Sequence, residues 1–134
     1  MHLSKFRAYA FAVVAASVAL AWAVPALAQT KAARGSTVTV TMGKPSEFKF
    51  IVAGAAAHGS ITFKVTNKGA APHDFKLCNT AGTATTCTGK GTAIISAGGT
   101  ATLTVTVAKP GMYEYLCDVP GHAAAGMKGQ LKVT

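Results

Sequence analysis

Beyond Thr30, apolar residues tend to fall at every second position, in short runs broken by glycine, proline and asparagine. The clearest run, residues 60–66 (SITFKVT), sets Ile61, Phe63 and Val65 on one side against Thr62, Lys64 and Thr66 on the other. That alternation predicts an antiparallel strand buried on one face. Residues 100–107 (TATLTVTV) repeat it with Leu103, Val105 and Val107. Residues 37–42, 47–52, 73–78, 112–117 and 127–133 are also rich in β-branched, aromatic or alternating residues and are predicted as strands. Gly43-Lys44-Pro45, Asn67-Lys68-Gly69 and Lys109-Pro110-Gly111 separate them as turns, and Pro72 disfavours helix at Ala71. No segment beyond Thr30 combines a sustained helical period with caps. Seven or eight short strands in about 100 residues predict an all-β fold, a Greek-key sandwich or barrel.

The N-terminus follows another pattern. Lys5 and Arg7 precede an apolar run of 17 residues, 8–24, and Ala26-Leu27-Ala28 then offers a small-x-small cleavage site before Gln29. Residues 1–28 are therefore expected to be a signal peptide, and residues 29–134 one exported or periplasmic domain. The apolar run is short of the roughly 20 residues that span a bilayer, so no stable membrane anchor is expected after cleavage; retention of the segment as an anchor is the alternative. Removing the segment leaves 11 Lys and Arg against four acids, Glu47, Asp74, Glu114 and Asp118, a balance of +7. The basic residues are spread singly from Lys31 to Lys132 with no aromatic platform between them, which excludes nucleic acid as the expected partner. An acidic protein partner fits the charge better, and so does plain solubility.

Three cysteines, Cys78, Cys87 and Cys117, make an odd count for an exported domain. Cys78 and Cys87 bracket NTAGTATT, a segment with the composition of a surface loop, so a local disulfide is the expected pairing. Cys117 is then the free thiol, and in an oxidising compartment it needs burial or a metal. It could also be only a small buried hydrophobe.

Cys117 opens the stretch CDVPGHAAAGM, in which His122 and Met127 follow at intervals of five residues. Alternation puts Tyr113, Tyr115 and Cys117 on one face, so Cys117 is expected to point inward at the end of its strand, with His122 near solvent in the loop. Thiolate, thioether and imidazole together select copper or zinc over magnesium or calcium. A fourth donor must come from elsewhere. His2 lies in the signal segment and His58 reads as an exposed loop residue, which leaves His73, held behind Pro72 in APHDF. Zinc would leave Met127 as a core residue, since structural zinc sites take Cys and His. Cys117 and His122 lack a third orienting group or an oxyanion donor set, so no enzyme is expected. Val119, Pro120, Ala123, Ala124 and Ala125 are small or apolar and uncharged, and are expected to form an exposed docking patch around His122.

The segments NKGAAPHDF and YEYLCDVPGHAAAGMKG together resemble the cupredoxins, small blue copper proteins of the plastocyanin and azurin type. The resemblance lies in a histidine about forty residues upstream of aromatic-x-Cys, followed by Pro-Gly-His and Gly-Met-x-Gly. It implies one copper per chain, with His73, Cys117 and His122 as trigonal ligands and Met127 as a long axial one. It implies electron shuttling to redox protein partners, such as an acidic c-type cytochrome, an oxidase or a reductase. Asp74, where many members have asparagine, is expected to brace the ligand loop by accepting hydrogen bonds, and its backbone N–H to reach the thiolate. The spacing Cys-x4-His-x4-Met is longer than in plastocyanin-like loops and differs from azurin by one residue before the methionine. The rival readings are a copper carrier without an electron-transfer role and a metal-free β-sandwich adhesion module.

Overall fold

Among the described residues, the chain forms eight strands in two four-stranded sheets. They are β1 (Ser36–Met42), β2 (Phe50–Ala53), β3 (Gly59–Asn67), β4 (Lys76–Cys78), β5 (Gly89–Gly91), β6 (Thr100–Val107), β7 (Gly111–Leu116) and β8 (Lys128–Val133). The computed structural model describes residues 35–79 and 87–134; the expected signal peptide, residues 1–28, lies outside them. One sheet runs β2-β1-β3-β6 and the other β5-β4-β7-β8, the all-β sandwich that the strand count predicted.

Three expectations need correction. The strand expected over residues 47–52 begins only at Phe50, because Gly43 adopts φ +75° and its N–H donates to Lys49 O at 2.9 Å, closing residues 43–49 into a loop. The segment expected to start a strand at His73 pairs only through a bridge to Ile95 until β4 begins at Lys76. β3 is antiparallel to β6 as expected but parallel to β1, so the single half-buried pattern serves two kinds of neighbour. β5, of sequence Gly-Lys-Gly, was not predicted; it is a strand because β4 offers it an edge, not because of its own propensity.

Between the sheets lie Val38, Val40 and Met42 of β1, Ile61, Phe63 and Val65 of β3, and Val105 and Val107 of β6. The second sheet contributes Leu77, Leu131 and Val133. Each such side chain contributes about 1.5–3 kcal/mol by leaving water. At one end of this core Phe75 sits among Phe50, Phe63 and Tyr115, with ring centroids 5.8, 5.0 and 5.7 Å away. Phe75 follows His73 by two residues and Tyr115 precedes Cys117 by two, so a single aromatic cluster underlies both segments. Tyr115 lies opposite Gly129 across the β7–β8 ladder, where a Cβ would overlap its phenol. Glycine in Gly-Met-x-Gly is thus the space that lets Tyr115 lie flat.

The opposite face of the second sheet carries a smaller buried cluster of Cys78, Leu116 and Ala123, with Cys87 packed against it. Cys78 and Cys87 form the expected disulfide, S–S 2.01 Å, and Cys117 is the free, buried thiol.

Candidate metal centre

Cys117 is the first residue beyond β7, and its side chain is fully buried. From there the chain closes on itself through short-range backbone bonds. His122 N–H donates to Val119 O (3.0 Å), Ala125 N–H to Gly121 O (2.9 Å) and Gly126 N–H to Ala123 O (3.1 Å). Gly121 and Gly126, at φ +85° and +100°, take backbone conformations that side chains resist. Met127 N–H then donates to His122 O (2.9 Å), and Cys117 N–H to Met127 O (3.0 Å). Met127 is fully buried, and its backbone is therefore tied to both His122 and Cys117.

His73 reaches the same place from another direction. Its backbone exchanges two hydrogen bonds with Ile95, His73 N to Ile95 O (3.1 Å) and Ile95 N to His73 O (2.7 Å). The fully buried Asn67 side chain pins the preceding turn. Its Nδ2 donates to Ala71 O (2.8 Å) and Ile95 O (2.9 Å), and its Oδ1 accepts from Gly69 N–H (2.9 Å). The imidazole, fully buried, turns Nδ1 toward His122 and Nε2 toward Glu47 Oε1 at 2.9 Å.

The ligating atoms of His73, Cys117 and His122 all lie within 4.8 Å of one another. His73 Nδ1 is 3.1 Å from His122 Nδ1, which is 3.5 Å from Cys117 Sγ. Donors this close together can share one ion, and two imidazoles with one thiol are a donor set that fits a single type 1 copper. Burial pushes the Cys117 thiol up to about 11, against the lowering pull of the Asp74 and Val119 N–H groups. A thiol of that kind is protonated at neutral pH, and metal uptake must expel the proton. Burial first, then the adjacent His73, holds His122 below the ordinary imidazole range, which favours the neutral ring that a metal needs.

Asp74 stands where the ligand loop begins and does both things expected of it geometrically. Its N–H points at Cys117 Sγ (3.5 Å), and its Oδ1 accepts from Asp118 N–H (2.6 Å). Of the expected docking residues, Pro120, Ala124 and Ala125 are exposed and Val119 is half-buried. Ala123 is the exception: it is 3% exposed, because the turn after His122 folds it down onto Leu116 and Cys78. His58 is exposed and turns away, its Nδ1 3.0 Å from Thr134 O.

Three consecutive residues of the loop between β1 and β2 also meet the centre, and none was singled out from the sequence. Glu47 accepts from His73 Nε2–H and from the N–H groups of Ala70 (3.0 Å) and Ala71 (2.8 Å). Those two backbone donors, and then His73, hold its carboxyl at about 2, far below the usual carboxylate range. Phe48 presents its ring to the His122 ring with centroids 5.1 Å apart, and Lys49 Nζ donates to Gly126 O at 3.3 Å. Gly69 makes the Glu47 contact possible, since a Cβ there would fall on the carboxylate and 2.9 Å from His73 Nε2. The only sequence signals were a lone acid between Pro45 and an aromatic residue and a glycine shortly before the histidine.

Comparison with known proteins agrees with this geometry. Residues 36–134 match the family described as copper binding proteins, plastocyanin/azurin family. Auracyanin-B of Chloroflexus aurantiacus is 49% identical over 43 residues, 32% of this chain; the match spans only 18% of that relative's length. Among solved structures, the fold is similar to that of a reduced auracyanin from Roseiflexus castenholzii, with TM-score 0.61 and 22% identity over 73% of this chain and 96% of the other. It is also similar to auracyanin A of Chloroflexus aurantiacus, a "blue" copper protein, with TM-score 0.59 and 21% identity over 75% and 100% of the two chains. Rusticyanin from Thiobacillus ferrooxidans is 27% identical with TM-score 0.56, over 75% of this chain and 77% of its own. With the sandwich, the convergent His73, Cys117 and His122, and a family match across residues 36–134, the chain belongs to the plastocyanin/azurin family of copper-binding cupredoxins.

Proposed function

We propose that this protein is an exported carrier of single electrons with one type 1 copper, and that it turns over no substrate. The observation that carries the reading is the convergence of two imidazole nitrogens and one buried thiol within 4.8 Å, with Met127 folded back beside them. His73, Cys117 and His122, with Met127, would hold the copper. When bound there, copper supplies a one-electron couple between Cu(I) and Cu(II).

The chain's part is to keep the donors where they are in both states. The aromatic cluster around Phe75 and the loop's own hydrogen bonds resist movement, and little movement means a low barrier to electron transfer. Buried side chains exclude water from the thiol, while His122 keeps one edge close to the surface. Phe48, 38% exposed, with Pro120, Ala124 and Ala125, forms an apolar rim there on which a partner can come close.

The charges beside that rim favour an acidic redox partner, such as an acidic c-type cytochrome, an oxidase or a reductase. Lys44, Lys49 and Lys68 are exposed on the loops flanking the centre. The acids close by are already engaged: Glu47 by His73, Asp74 by Asp118 N–H, and Asp118 by Lys76. Electron self-exchange between the Cu(I) and Cu(II) forms tests the carrier role, read from NMR line broadening in mixtures of the two. Fast exchange is expected. Sluggish exchange together with rapid copper handover to a chelator would overturn it in favour of a copper carrier.

A further inference from the structure

We propose that the Cys78–Cys87 disulfide and Lys76 form a brace that holds the ligand loop shut, and that this brace sets how fast copper leaves. A disulfide closing a short surface loop ordinarily adds stability by restricting the unfolded chain. This one also touches the loop that carries Cys117, His122 and Met127, along two separate routes.

The first route is apolar. Cys78, Leu116 and Ala123 are buried together at 2%, 0% and 3% exposure, with Cys87 against them. Leu116 immediately precedes Cys117, and Ala123 immediately follows His122. The loop therefore rests on the disulfide through Ala123, and the strand end from which it leaves does so through Leu116, each adjacent to a ligand. The second route is polar. Lys76 Nζ donates to Cys87 O (3.3 Å) and to Asp118 Oδ2 (2.6 Å). Asp118 follows Cys117, and its N–H is held by Asp74 Oδ1. Asp74 in turn follows His73 and points its own N–H at Cys117 Sγ. From the disulfide, the contacts lead to neighbours of all three in-plane ligands.

For copper to leave, the ligand loop must open locally, and local openings follow the weakest contacts around a segment. The loop's internal bonds survive such a motion because they move with it. The contacts that must break are those to the rest of the molecule, and on this side they are Ala123 on Leu116 and the disulfide, Asp118 Oδ2 with Lys76, and Asp118 N–H with Asp74. Removing both sulfurs leaves Ala123 facing a void, and voids in packed clusters are costly in the closed state. The closed state then loses its advantage over the open one.

The inference rests on the copper reading above, and its test separates the two. Wild type, C78A/C87A, K76M and V133A are loaded with Cu(I), and transfer to an excess of a coloured Cu(I) chelator is timed. Val133 is a core residue paired with Gly111, at the opposite end of β8 from Lys128, so V133A lowers stability away from the centre. Release is expected to quicken about ten- to a hundredfold in C78A/C87A. It is expected to quicken by a smaller factor in K76M and to stay unchanged in V133A despite a lower Tm. An unchanged rate in K76M overturns the proposal, and so does a rise that V133A reproduces. Should C78A/C87A not fold, K76M and V133A still decide. A wild-type protein that takes up no copper would instead sink the copper reading.

Discussion

Cys117, His122 and Met127 hang on a loop that fixes itself, whereas His73 is held by residues from three other parts of the chain. Within the loop every stabilising backbone bond spans ten residues or fewer, from Val119 to His122 up to Cys117 to Met127. His73 depends on Glu47, 26 residues before it, on Ile95, 22 after it, and on Asn67. The contrast says that half of the centre is a local motif and the other half is a product of the whole fold. A change in loop length is therefore expected to cost less than a change on the His73 side, where three distant elements must arrive together.

The largest effect should come from the hub of the long-range side. Asn67→Ala strands Ala71 O and Gly69 N–H and leaves Ile95 O with the His73 N–H alone. A loss of about 3 kcal/mol is expected, read as a Tm lower by roughly 12–24 °C. A shift of a degree or two would mean that the local loop, not the fold, carries the centre.

Next come the groups that orient the imidazole. Glu47→Ala frees Nε2, and Gly69→Ala pushes the carboxylate off it by steric overlap. Both are expected to lower copper affinity about ten- to a hundredfold, with Glu47→Gln recovering part of the loss because it still accepts a hydrogen bond. Equal affinity in all three, measured by competition with a chelator, would erase the difference between the two sides.

A smaller effect is expected in acid. The folded-state value for Glu47 lies near 2 against an ordinary 4.5, so its contribution to metal-free stability is full above 4.5 and fades as pH falls through 2. Thermal melts of wild type and Glu47→Gln should therefore differ at neutral pH and converge toward pH 2. The smallest effect concerns the partner. Association with an acidic redox protein should slow as salt rises, and a rate indifferent to ionic strength would remove the role given to Lys44, Lys49 and Lys68.

This division also explains what could be read from the sequence. Strands such as β3 and β6 declared themselves because a buried face needs strict alternation, and the ligand loop did so because its donors and turn residues sit within one short stretch. The Cys78–Cys87 pairing was legible for the same reason, being local. Residues 47–49 were not. Phe48 and Phe50 alternate as a strand would, and nothing nearby reports that Gly43 and Gly69 bring two loops together. β5 escaped because Gly89-Lys90-Gly91 has no strand character until β4 stands beside it. Ala123 reads as surface because a run of three alanines carries no sign of which one turns inward.

The central claim is that His73, Cys117 and His122, with Met127, hold one copper through the buried thiolate. Visible absorption on adding Cu(II) tests it most directly. Wild type should develop an intense band toward the red end, saturating at one copper per chain and absent in Cys117→Ser. No such band in wild type, or an undiminished one in Cys117→Ser, would contradict the account.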